Sequence, residues 1–146
     1  MGVPALLNYR VICDDNWLTR RGEVSGWMGD SAIGLTVERD AKDIWFSSGN
    51  RIPELDGLTD LDLGFTPATN TNAIQRMELA IGQGADTTAA WLDPSDWKLK
   101  PLRQNYLRIG MCTYDYESPS HDYRAKLQTD EFGLIVEYPG LWTREP

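Results

Sequence analysis

Apolar and polar residues alternate along most of the chain, and a two-residue period predicts strands with one buried face. Leu7, Tyr9, Val11 and Cys13 alternate with Asn8, Arg10 and Asp14, so residues 5–14 read as a strand. Residues 17–28 carry Trp17, Thr19, Val24 and Trp27 with Gly22 and Gly26 between them, which predicts a hairpin or a bulged strand. Ile33, Leu35 and Val37 follow, then Ile44-Trp45-Phe46, then Leu61 and Leu63 alternating with Asp60 and Asp62. Further strands are expected over 87–92, 97–100, 103–109, 111–117, 122–129 and 133–138. Turns separate them at Asp93-Pro94-Ser95, Ser118-Pro119-Ser120 and Asp130-Glu131-Phe132-Gly133.

Residues 73–81 are contested. Ala73 to Ala80 are good helix formers, whereas Met77, Leu79 and Ile81 alternate with Arg76, Glu78 and Ala80, and Gly82 and Gly84 follow at once. The alternation assigns a strand. Roughly ten short strands with short connections and no βαβ pattern predict an all-β, antiparallel, mostly up-and-down curved sheet, a half-barrel or open barrel. Residues 1–146 are expected to form a single domain. The predicted strands carry Trp45, Trp91, Trp97, Tyr106, Tyr114, Tyr116 and Tyr123, which either fill a core or line a concave face.

Charge narrows the function classes. The 14 Lys and Arg against 22 Asp and Glu leave a net charge of −8 with no basic segment. That excludes nucleic acid as a partner, because its affinity depends on neutralised phosphates, and electrostatic capture by anionic lipid headgroups. No run approaches the ~18 apolar residues that span a bilayer, so no integral membrane segment is expected. The N-terminus lacks a basic region followed by an apolar one, and Cys13 and Cys112 lie far apart without a C-x-x-C spacing. Buried reduced thiols and a cytoplasmic location follow as expectations.

Candidate chemistry is sparse. His121, the single histidine, sits in Ser120-His121-Asp122 and reads as an exposed turn residue. Two distant cysteines and one histidine make no zinc set, and no glycine-rich nucleotide or hydrolase signature is present, so neither metal nor cofactor is expected. In Asp60-Leu61-Asp62 a strand would place both carboxylates on one face about 7 Å apart, near enough to share a cation or flank a bond. The loop after it, through Thr66, Pro67, Thr69, Asn70, Thr71 and Asn72, is rich in side chains that bond nearby backbone. Pairing of 58–63 with 73–81 would set Asp60 and Asp62 opposite Arg76 and Glu78. Such an Asp–Arg pair either holds the hairpin or rims an aromatic cavity, where carboxylates, Asn and Arg bond sugar hydroxyls.

The run Asp60-Leu61-Asp62-Leu63-Gly64-Phe65-Thr66-Pro67-Ala68-Thr69-Asn70-Thr71, continuing to Ile74 and Arg76, resembles the signature stretch of a bacterial family named "Putative glycolipid-binding". Tyr9, Val11, Asp14, Trp17, Thr19 and Arg20 agree with it. So do Trp91, Pro101, Gln104, Tyr106, Asp130, Glu131, Gly133 and the closing Tyr138-Pro139-Gly140-Leu141-Trp142. The resemblance spans nearly the whole chain. It implies a half-barrel like those of bacterial lipoprotein-localisation factors and a mycobacterial lipid-carrier lipoprotein, whose concave face holds a lipid. By that resemblance the chain is expected to begin inside the family's domain, without an N-terminal segment that would add strands. It also has Gln75 where an Arg before Arg76 is more usual.

The expected function is therefore non-enzymatic binding of an amphipathic small molecule, a glycolipid or fatty-acyl compound, in a β-sheet cavity. Asp60, Asp62, Thr66, Asn70 and Arg76 are the expected polar contacts, and Trp45, Tyr106, Tyr114 and Tyr138 the expected wall. Two alternatives come from other classes. One is a hydrolase using Asp60 and Asp62; the other is a protein-interaction module whose homodimer covers an open sheet edge.

Overall fold

A computed structural model describes residues 2–146. Its contacts divide the chain into two compact units, with the boundary between Thr59 and Asp60.

The first unit is an antiparallel sheet of five strands in chain order: β1 (Ala5–Cys13), β2 (Thr19–Met28), β3 (Ser31–Arg39), β4 (Trp45–Ser47) and β5 (Asn50–Arg51). The strand expected over 5–14 is β1, and the segment at 17–28 is one strand rather than a hairpin. Gly26 explains part of its irregular pattern. Its φ is +139°, and a Cβ there would lie 1.9 Å from the Leu6 carbonyl oxygen, so only glycine permits this close pairing. Val24, Val37, Trp45 and Leu55 are buried in this unit. The buried Arg39 is anchored on the Thr19 carbonyl and on Asp43.

The second unit opens with β6 (Leu61–Leu63) and the helix α1 (Ala68–Met77). Six more strands follow: β7 (Gly84–Asp93), β8 (Lys98–Gly110), β9 (Thr113–Ser118), β10 (Tyr123–Thr129), β11 (Ile135–Tyr138) and β12 (Trp142–Thr143). They form one curled seven-stranded half-barrel in the order β12-β11-β10-β9-β8-β7-β6. The architecture is all-β as expected, but the sheet is mixed. β6 runs parallel to β7, with Leu61 opposite Ala90 and Leu63 opposite Leu92, while its other pairings are antiparallel. The reason is α1, which carries the chain back along the sheet. A parallel neighbour requires such a crossover, and β6-α1-β7 is a βαβ unit that the hydropathy pattern hides.

The strand expected over 73–81 is thus corrected to the end of a helix. Glu78 terminates it in the left-handed conformation (φ +47°), with its N–H on the Ile74 carbonyl. The helix packs on β6 and on β11, near opposite ends of the sheet. Its Ala73 and Ile74 join Leu79, Tyr106, Tyr114, Tyr116, Leu127 and Ile135 in a single buried cluster. Residues 97–100 and 103–109 fuse into the 13-residue β8, which runs through Pro101 without a break.

Candidate functional site

A cavity of about 320 Å³ lies inside the second unit, between the loop that follows β6, the faces of β7 to β9 and the ends of β11 and β12. Its walls are aromatic. Tyr123 and Tyr138 stack with centroids 5.9 Å apart, Tyr116 meets Tyr138 edge-on at 6.2 Å, and Trp91 meets His121 edge-on at 5.0 Å. Gly64 lets this wall close. A Cβ on it would lie 2.7 Å from both the Trp91 indole nitrogen and the Leu92 carbonyl.

Asp62 supplies the polar side of the cavity. Gln104 Nε2 donates to its Oδ2 at 2.5 Å and to the Tyr116 hydroxyl at 3.0 Å, so one amide ties carboxyl and phenol together. The Thr69 hydroxyl, which accepts the Leu63 N–H at 3.1 Å, also bonds the Asp62 carboxyl. Burial raises the pKa of Asp62 from 3.8 to about 6; the bonds from Gln104 and Thr69 oppose the rise, and the charge of Asp60 adds to it. Burial also pushes the Tyr116 and Tyr138 phenols far above their ordinary range, so both remain neutral donors.

Asp60 has a different setting. Arg76 grips it with two bonds, Nε to Oδ1 at 2.8 Å and Nη2 to Oδ2 at 2.7 Å, and Nη2 also reaches Thr87 Oγ1 at 3.1 Å. The Asp–Arg pair expected from the sequence therefore forms, but through α1 rather than across a hairpin. Asp62 pairs with Gln104 instead of Arg76, and Glu78 caps the helix.

Of the nine residues expected at the site, Asp62, Thr66, Asn70 and Tyr138 line the cavity. Asp60 and Arg76 do not. Tyr106 is buried and accepts a bond from Asn70 Nδ2 at 2.8 Å. Tyr114 is buried in the core cluster, with Arg108 over its ring. Trp45 belongs to the first unit, fully buried, with its indole N–H on the Leu58 carbonyl. Sequence reasoning missed Ser118 as a site residue and read His121 only as an exposed turn histidine. His121 is exposed, and it also lines the cavity, because the 3-10 turn Pro119–His121 carries it there. Cys13 and Cys112, expected to be buried, are half-buried.

Among the described residues, no group of three or more His, Cys, Asp or Glu is placed to hold a metal ion. No helix among them is long and apolar enough to cross a membrane.

Comparison with known proteins agrees with this geometry. A crystal structure of a DUF1089 family protein from Pseudomonas aeruginosa superposes with a TM-score of 0.89 at 32% identity, covering 99% of this chain and 79% of that one. No curated protein matches. The model of the family described as "Putative glycolipid-binding" matches residues 2–144, and the chain belongs to that family.

Proposed function

We propose that this protein binds a small amphipathic molecule, a glycolipid or fatty-acyl compound, in the half-barrel cavity and catalyses no reaction on it. The observation that carries the reading is the cavity itself: aromatic walls around a few convergent polar groups, at the lower end of the size range of small-molecule sites. The family description and the half-barrel support it. Asp62, Thr66, Asn70 and Tyr138 are the contacts it assigns. Asp60 and Arg76 become supports that hold α1 against the β6 end of the sheet. Trp45, Tyr106 and Tyr114 become core residues.

The test is native mass spectrometry of protein purified without detergent, followed by organic extraction and lipid identification. A stoichiometric adduct released by the solvent is the expected result. A bare mass that persists after incubation with a total bacterial lipid extract would overturn the proposal.

A further inference from the structure

Ser118 ends β9 among the residues that line the cavity, with only 4% of its surface exposed, and its buried Oγ has no hydrogen-bond partner among the described residues. An unpaired buried hydroxyl is costly, and a purely structural site would place Ala there. A ligand that bonds Ser118 removes the deficit.

The charges around the cavity restrict what that ligand is. Its lining includes Asp62 and His121 but no Lys or Arg. The guanidinium of Arg76 is committed to Asp60 and Thr87. A phosphate or carboxylate head would meet no fixed cation and would face the Asp62 carboxyl. An acyl chain inserted here would cover the Asp62 carboxyl with hydrocarbon and leave the Ser118 hydroxyl without a partner. Neither ligand suits the polar side. A ring of hydroxyls does: its O–H groups donate to a carboxylate and exchange bonds with a serine, while its C–H faces pack on flat aromatic walls such as Trp91, Tyr123 and Tyr138. Leu141, 70% exposed, and Trp142 lie at the same cavity, where a hydrocarbon tail would leave it.

From this arrangement we infer that the cavity takes the uncharged, hydroxyl-rich ring of a glycoside, read by Ser118 and Asp62, and leaves the hydrocarbon part on the Leu141 and Trp142 rim. The inference rests on the amphiphile-binding reading and specifies which end enters and which head groups are refused.

Two probes with the same tail separate the possibilities: n-octyl β-D-glucopyranoside and octyl phosphate. Each is titrated below its micelle-forming concentration at pH 7.5, with tryptophan fluorescence and calorimetry as readouts. The glucoside is expected to bind at least tenfold tighter than the phosphate. Ser118→Ala is expected to weaken the glucoside five- to tenfold, to leave the phosphate within twofold, and not to lower the melting temperature, since it removes an unsatisfied group. Asp62→Asn is expected to narrow the gap by admitting the phosphate. Octyl phosphate binding as tightly as the glucoside, or a Ser118→Ala effect equal on both, would overturn the head-group inference and leave amphiphile binding standing. If neither amphiphile binds, both readings fall.

Discussion

Asp60 and Asp62 stand two positions apart and have opposite fates, which shows how little a motif says before its partners are known. Asp60 spends both oxygens on Arg76, with its side chain 4% exposed against 23% for the arginine. Removing one member of such a pair leaves a buried charge unmatched, so Arg76→Ala is expected to cost about 2–4 kcal/mol in a denaturant series. Replacing both members by apolar residues should recover most of that loss. A cost below about 0.5 kcal/mol would show the pair to be as weak as an exposed one. Asp62 instead keeps a raised pKa, about 6 against 3.8. Between those two values the native state holds a proton that the unfolded chain has lost, so stability falls as pH rises from about 4 to 6. The loss is on the order of 2 kcal/mol, and Asp62→Asn should flatten the profile in that window. Urea midpoints of both proteins at pH 4.5 and 7.5 measure it directly; parallel profiles would rule out Asp62 as the cause.

The element that escaped the sequence is α1, and its residues explain why. The helix buries Thr69, Asn70, Thr71, Ala73 and Ile74, so most of its inward face is polar. Hydropathy periodicity detects apolar stripes, and this stripe is held by hydrogen bonds that only the folded sheet supplies. Thr71 Oγ1 donates to the Gly133 carbonyl at 2.9 Å, and Asn70 reaches Tyr106 across 36 positions of sequence. The alternation of Met77, Leu79 and Ile81 then imitates a strand although Glu78 already ends the helix. By contrast β3 and β9 were legible, since more and less buried positions alternate along them, and β1 was legible from the alternation of its residues although none of them is buried. The cavity was half legible for the same reason. Asp62 and Asn70 lie in a marked local run, whereas Ser118 arrives through the register of β9 with β10, where it stands opposite Tyr123, and no local pattern encodes that. If polar bonding is what seats α1, Asn70→Leu should cost about 1–3 kcal/mol despite its similar shape, because the Tyr106 hydroxyl is left buried and unpaired. Gln75→Ala, on a half-buried flank, should cost less than half as much. Equal effects in thermal unfolding would mean that helix packing is apolar after all.

At the scale of the whole molecule, a net charge of −8 sits beside a set of exposed apolar side chains, among them Leu141 at 70% and Met111 at 77%. These two properties set how a lipid-like ligand is acquired. Anionic membranes attract basic segments at about 1 kcal/mol per Lys or Arg, and this chain offers none, so bulk electrostatics opposes approach to such a surface. Collecting an amphiphile from a bilayer would depend on apolar contact alone, which salt does not screen. In flotation assays, neutral phosphatidylcholine vesicles should therefore retain at least as much protein as vesicles containing phosphatidylglycerol. Lowering the salt should reduce retention on the charged vesicles further, because unscreened repulsion grows. A retention that instead rises with phosphatidylglycerol and falls with salt would reveal a cationic docking face that the charge distribution does not suggest. The opposite salt response would confine ligand uptake to neutral surfaces or to ligand already dispersed in solution. That is also the condition under which a cavity without a lysine or arginine in its lining discriminates best, since its contacts with an uncharged ring do not depend on ionic strength.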